Sequence, residues 1–212
     1  MTGPMFDEAF RRELGELFAW RRDVRHFRQD PLPRGAIDEL LDLASHGPSV
    51  GNAQPWRFVL VRSPERREEL ALLADAGKRD AAGAYDADQR ALYDRLKLHG
   101  LRDAPEVLAV FCDEATNTGH GLGRATMPET LCWSVVTAIH TLWLAARARG
   151  IGLGWVSIVD PGAINALLDV PPRWRFIALL CLGYPDEDSD TPELVRHGWQ
   201  APLPVSSTRL VR

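Results

Sequence analysis

Seven residues, 21–27 (RRDVRHF), set three arginines around one aspartate. In an extended segment alternate side chains point the same way, so Arg21, Asp23 and Arg25 share one side and Arg22 and Val24 the other. Guanidinium groups packed this closely repel one another unless an anion lies among them. Their forked donors match a phosphate at two points, each charge-assisted hydrogen bond being worth roughly 1.5–3 kcal/mol. Arginines on either side of Asp23 are expected to lower its pKa, keeping it ionised and able to take a proton. The competing reading is a solvated loop whose arginines pair with Asp30 or Glu13.

A second stretch, residues 47–61 (GPSVGNAQPWRFVLV), runs from a helix end through small and amide side chains into a strand. Ser49, Asn52 and Gln54 offer uncharged donors and acceptors suited to a flat heteroaromatic ring, although an ordinary turn uses the same residues. The glycine-rich GHGLGR (119–124) lies several residues past its strand and opens no helix, so it reads as a mobile loop and not a dinucleotide fingerprint. No Walker or HExxH motif occurs. His140, on an apolar helix, reads as a hydrogen-bonded core residue.

The elements that must position these residues alternate between helix and strand. Helical spacing is expected over 6–18, after the prolines of QDPLPRGAIDELLDLASHGPS, and in the segment that Ser63 caps and Pro64 opens. Residues 77–104 are polar, alanine-rich and helix-prone, and a lid carrying Tyr85, Tyr93 and Leu98 is one reading of them; a surface helical hairpin is the other. Strands are expected at 56–62, 106–114, 152–160 and 175–185. The longest helix opens at TMPE, where Thr126 and Glu129 have capping-box spacing, and runs to Arg149. It is apolar nearly all round, which favours an intimate homodimer. The last 27 residues, 186–212, form a polar, proline-rich tail.

With 212 residues, 45% hydrophobic and 25% charged, the chain suits a single domain over 1–212, and strands between helices imply a sheet covered on both faces. A net charge of −4 gives no reason to expect a nucleic acid or an anionic membrane as partner. The most apolar stretch, 131–146, is interrupted by Ser134, Thr137, His140 and Thr141 and is not a membrane span. Cys112, Cys132 and Cys181 lie far apart in apolar surroundings and read as reduced core residues with no metal-ligand spacing. MTGPMFDEAF lacks the charged-then-apolar pattern of an export signal, so a cytoplasmic protein is expected.

Taken in order, RRDVRHF, PSVGNAQPWRFV and GLGWVSI resemble the FMN-binding motifs of the nitroreductase-like flavoproteins, over roughly residues 18–185. Asp23 stands where that family generally has serine. With the long stretch TMPETLCWSVVTAIHTLWLAARARGIGLGWVSIVDP, it is similar to the branch that makes 5,6-dimethylbenzimidazole, the lower ligand of vitamin B12. The resemblance implies an α+β, three-layer fold with a central mixed β-sheet flanked by helices, as an intertwined homodimer. It implies that reduced FMN is both cofactor and substrate, consumed with O2 to give 5,6-dimethylbenzimidazole and erythrose 4-phosphate. Asp23 and Ser157 carry over as catalytic residues, and Arg21, Arg22, Asp23, Val24, Arg25, Ser49, Leu98, Val156 and Ser157 as flavin contacts. Main chain at Val24 and Val156 would approach the flavin beside the small Gly152 and Gly154. A separate flavin reductase is the expected source of reduced FMN. The alternatives are an NAD(P)H-dependent nitroreductase or flavin oxidoreductase, and a non-catalytic FMN-binding protein.

Overall fold

Successive residues of strand Glu106–Asp113 enter two different cores in the computed structural model, which describes residues 3–212. Val107, Ala109 and Phe111 pack on one side with Leu70, Ala74 and Ile164; Leu108, Val110 and Cys112 pack on the other with Leu40, Val135, Ile139 and Leu142. The period of two along an extended chain sends alternate side chains to opposite faces, so a run of apolar residues here means burial on both. Helices cover each face, giving the three layers that the alternation of elements implies.

The strands are β1 (Trp56–Leu60), β2 (Glu106–Asp113), β3 (Gly152–Val156) and β4 (Trp174–Gly183), in spatial order β1-β2-β4-β3. All three pairings are antiparallel. The parallel pairing that makes the sheet mixed is one bridge, Asp23 to Leu153, where the arginine-rich stretch runs beside β3. The helices are α1 (Glu8–Trp20), α2 (Ala36–Ala44), α3 (Pro64–Ala81), α4 (Ala87–Arg95), α5 (Thr130–Arg147), α6 (Pro161–Leu168) and the single turn α7 (Glu193–Arg196).

Local signals account for most boundaries. Ser63 caps α3 by accepting from Arg66 N–H, and Pro64 fills the first position, where no N–H is needed. Gly150, at φ +69°, lets the chain turn off α5 into β3. The expected capping box fails: residues 127–130 form a turn closed by Thr130 Oγ1 on Met127 O (2.6 Å), so α5 starts at Thr130 with Glu129 before it. Strand β3 stops at Val156, four residues short of the expected end, and Asp160 then caps α6 by accepting from Ala163 N–H (2.6 Å).

Helix α5 lays Leu131, Val135, Ala138, Ile139, Leu142 and Ala146 on the sheet. Within one chain it is not buried all round: Trp133, Val136 and His140 face outward. His140 is therefore an exposed residue and not the core histidine expected from its apolar neighbours. The three cysteines are free thiols, and no helix among the described residues is long and apolar enough to cross a membrane.

Candidate active site

Residues 21–28 leave α1 and run extended along the sheet's β3 edge. Val24 N–H donates to Leu153 O (3.0 Å), Arg28 N–H to Tyr184 O (2.9 Å) and Asp186 N–H to His26 O (3.1 Å). From the other side, Trp143 of α5 donates its indole N–H to Arg22 O (3.0 Å). Phe27 is the anchor of the stretch, buried in the core against Gly100 and Gly183. A segment in which five of six residues, 21–26, are polar or charged is thus held in place by one aromatic side chain and a seam of main-chain hydrogen bonds.

Asp23 sits where that seam is tightest. Its Oδ1 accepts from Trp155 N–H (2.8 Å), and its Oδ2 from Arg25 Nη2 and Nε (3.0 and 3.1 Å). The carboxyl is set deep among protein atoms while 32% of its side-chain surface still faces an open cleft. Burial pushes its pKa above the ordinary aspartate range; the Arg25 charge and the Trp155 hydrogen bond pull it back only in part, and the charge of Glu193 adds to the upward push. The sequence implied the reverse, a carboxylate held down by its arginines. The difference is desolvation, which neighbouring residue types do not reveal. A carboxylate with a raised pKa that still ionises is a stronger base than a free one.

The three arginines do not form one cluster. Arg21 lies over the Trp143 ring, 4.8 Å from its centroid, and Arg22 turns back to the main-chain oxygens of Ala19, Arg21 and Asp190. That places a cation at the C-terminal end of α1, where the helix dipole favours it. Burial, and then the Arg21 charge, lower the pKa of Arg22; the Asp190 charge opposes them, and Arg147, paired with Asp188, adds a smaller push in the same downward direction. Two donors stay unmatched: Arg22 Nε and Arg25 Nη1 are buried with no hydrogen-bond partner. Buried unpaired donors on two arginines fit an acceptor-rich, anionic ligand such as a flavin phosphate or pyrimidine.

Val24 lines the same cleft, but its N–H is taken by Leu153 and its carbonyl lies against Gly154. Gly152 and Gly154 therefore make room for Val24. A Cβ at Gly154 would come within 2.0 Å of Val24 O. Val156 ends β3 with its side chain in the core, and Ser157, the next residue, is exposed. Asp23, held by Trp155, and Ser157 are thus brought to one end of β3.

Ser49 is not brought there. Its stretch leads into β1, the edge strand opposite β3, and is held on α5: Val50 N–H donates to Ser134 Oγ (3.0 Å) and Thr137 Oγ1 to Pro48 O (2.7 Å). Ser49 Oγ accepts from Gln54 N–H (3.2 Å), and Gln54 Nε2 donates to Asn52 Oδ1 (3.1 Å). Asn52 and Gln54 both have positive φ, +55° and +45°, a conformation that side-chain-bearing residues rarely adopt without a compensating role.

Leu98 packs in a small third core with Tyr85, Tyr93, Leu96 and Ile158, the residue after Ser157. The same core takes in Leu194 and Trp199 from the tail. The tail is therefore part of the site, which sequence reasoning missed: Asp186, Glu187, Ser189, Thr191, Glu193 and His197 face Arg22–His26 across a cleft of about 260 Å³. The available signal was Leu194 and Trp199, two bulky apolar residues in an otherwise polar segment.

A profile of the nitroreductase family matches residues 18–184. A protein of Rhodospirillum rubrum named 5,6-dimethylbenzimidazole synthase is 57% identical over 205 residues, covering 96% of each chain. One of the same name from Rhodobacter capsulatus is 50% identical over 96% of this chain and 99% of its own. Among solved structures, oxidized iodotyrosine deiodinase bound to FMN and 3-iodo-L-tyrosine superposes with a TM-score of 0.70 at 25% identity, over 83% of this chain and 91% of that one. The nitroreductase family protein of Streptococcus pneumoniae TIGR4 superposes with a TM-score of 0.68 at 22% identity, over 94% and 100%. From the match to its profile and the likeness to these relatives, the chain belongs to the nitroreductase family, within the group of the 5,6-dimethylbenzimidazole synthases.

Proposed function

We propose that this protein is a 5,6-dimethylbenzimidazole synthase that consumes reduced FMN and O2 and releases erythrose 4-phosphate. The observation that carries this reading is Asp23: a carboxylate of raised pKa, pinned by Trp155 N–H and Arg25, open to a cleft whose arginines keep unmatched donors. A nitroreductase that only passes electrons through a flavin has no use for such a base, and neither has a protein that merely stores FMN.

Bound reduced FMN supplies both the electrons for oxygen and the carbon skeleton of the product. Arg21 and Arg22 would hold its phosphate, Arg22 through the buried Nε that has no partner in the chain. Arg25 presents its free Nη1 to the pyrimidine oxygens. Asp23 would serve as the base for the proton of the ribityl C1′ carbon, and the Ser157 hydroxyl would supply a hydrogen-bond donor to the ring. The segment 77–104 would cover the ring as a lid, its Tyr85, Tyr93 and Leu98 packed on Ile158 and the tail, and shield the ring from bulk water while the cleft beside Asp23 stays open.

The site is completed by a second copy of the chain. A cleft of about 260 Å³ falls below the roughly 300–1,000 Å³ of pockets that enclose whole ligands, and the Ser49 loop stands at the far sheet edge. The outward face of α5, with Trp133 and Val136, offers the apolar surface for a homodimer that brings the partner's Ser49 to the ring. A separate flavin reductase delivers reduced FMN.

Aerobic incubation with reduced FMN, followed by mass spectrometry, is expected to give 5,6-dimethylbenzimidazole. Oxidised FMN and hydrogen peroxide alone would return the protein to the flavin oxidoreductases. In a parallel arm, NADPH with oxidised FMN and no added reductase should bleach the flavin only slowly; rapid bleaching would remove the need for a reductase partner.

The electrostatics give a signed prediction. Product formation needs Asp23 ionised, so it falls as pH drops through the raised Asp23 pKa. Arg25→Gln removes the larger of the two influences that favour the carboxylate, and the acid limb should move to higher pH. An acid limb that stays in place in Arg25→Gln would mean that Asp23 does not set it.

A further inference from the structure

Asp23, once it has taken a proton, must lose it before the next turnover. Neither of its hydrogen-bonding neighbours takes it: Arg25 is always protonated and Trp155 N–H only donates. The group that can stands across the cleft.

Glu193, the first residue of α7, keeps only 11% of its side-chain surface exposed. A carboxylate that buried is normally paired with a fixed cation or several N–H donors. Here the ion-pair partners among the described residues are two imidazoles: His26 Nε2 at 3.4 Å and His197 Nε2 at 3.7 Å from Glu193 Oε1. The nearby arginines are engaged elsewhere, Arg25 with Asp23 and Arg196 with Glu187 (3.3 Å). Both histidines are about half exposed, at 53% and 50%. Histidine is the side chain whose charge changes most readily near neutral pH, so Glu193 is bracketed by groups that exchange protons and not by a permanent counter-charge. Glu193 and both histidines line the same cleft as Asp23, together with Asp186 and Glu187 from the segment after β4.

We infer that Glu193, His26 and His197 form a proton exit from Asp23 to solvent. The proposal rests on the reading of Asp23 as the base of the reaction. Protonated Asp23 gives its proton, through water admitted by the open cleft, to the Glu193 carboxylate and returns to its charged form. Protonated Glu193 then passes the proton to a neutral imidazole, and the half-exposed imidazolium releases it to bulk water. Each transfer leaves the total proton count unchanged, and no redox partner is involved. Glu193 touches neither substrate nor reacting atom in this scheme; it acts through Asp23 and is a positioning residue.

The arrangement also sets the sign of a pH effect. Glu193 raises the Asp23 pKa by its charge, behind burial and against Arg25 and the Trp155 hydrogen bond. Glu193→Gln keeps the shape, removes the charge and removes the proton acceptor.

In the full-length protein, assayed with reduced FMN and air across a pH series, Glu193→Gln is expected to retain FMN binding. Turnover should fall roughly ten- to a hundredfold, less than the 10²–10⁴ a primary base contributes. The acid limb should shift to lower pH, opposite to the shift in Arg25→Gln. Added imidazole, a small diffusible proton carrier, should restore turnover in proportion to its concentration. Parental rate and pH profile in Glu193→Gln would overturn the proposal, and so would a loss that imidazole does not restore. The double variant His26→Gln/His197→Gln keeps the carboxylate and tests the outer step: slowed turnover with imidazole rescue supports the exit, and full activity removes the histidines from it. If the unmodified protein makes no dimethylbenzimidazole, the function itself fails and the exit with it, so the parent's own activity tells the two failures apart.

Discussion

Asp23→Asn is expected to bind FMN as the parent does and to make 5,6-dimethylbenzimidazole about 10²–10⁴ times more slowly, the usual contribution of a positioned base. The substitution is nearly isosteric. The amide oxygen of asparagine still accepts from Trp155 N–H, now at 2.8 Å from Asp23 Oδ1, so the seam between residues 21–27 and β3 stays closed. The donors assigned to the flavin, on Arg21, Arg22 and Arg25, are untouched. What disappears is the charged oxygen on the Arg25 side and with it the capacity to take a proton. Flavin fluorescence quenching measures the retained affinity, and product quantified after anaerobic loading and exposure to air measures the loss. Parental product from Asp23→Asn would show that proton transfer from the ribityl chain is handled by another group. Loss of FMN binding together with loss of product would give Asp23 a structural role instead.

How much of this was legible before the fold was known depends on the range of the interaction. The side-by-side placement of Asp23 and Arg25 follows from the two-residue period of an extended chain, and their 3.0 Å contact is what that period implies. Ser63 with Pro64 announced α3 for an equally local reason, and the uninterrupted apolar run of β2 announced a strand buried on both faces. Trp155 as the second anchor of Asp23 was invisible because the donor is a main-chain N–H, which every residue but proline carries. Thr126 and Glu129 had the right spacing for a cap and the wrong surroundings, since the chain closes a turn at Thr130 before α5 begins. Glu193 lay hidden in a polar tail, where nothing local says that one helical turn folds back on residues 22–26; Leu194 and Trp199 fix it there by packing against Tyr85 and Tyr93. Ser49 was grouped with the flavin motifs by resemblance, yet within one chain its stretch leads into β1, the edge strand opposite β3. Motif order carries no information about which copy of a chain supplies a residue.

Gly154→Ala is the sharper test of how the fold makes the site, because it removes no reactive group. A Cβ at this position would lie 2.0 Å from Val24 O and 3.2 Å from the carbonyl carbon. No rotamer relieves the clash, since Cβ is fixed by the backbone and the atom it meets is backbone too. Residues 21–27 must therefore lift off β3, straining or breaking Val24 N–H to Leu153 O and Trp155 N–H to Asp23 Oδ1. Overpacking of this kind costs about 1–3 kcal/mol, and each hydrogen bond lost adds roughly 0.5–1.5 kcal/mol. For a chain of this length each kcal/mol lowers the melting temperature by about 2–4 °C. The catalytic consequence should exceed the thermal one. With the seam open, Asp23 loses its Trp155 anchor and Arg22 and Arg25 their fixed placement, so FMN affinity and product formation fall together. Asp23→Asn separates the two. Gly15→Ala provides the control: a Cβ there has nothing within 4 Å, and alanine inside α1 should leave activity intact while adding up to about 1 kcal/mol of stability. Parental melting and parental product in Gly154→Ala would mean that the contact of residues 21–27 with β3 yields freely, and that the position of Asp23 is set by something other than the missing side chain at residue 154.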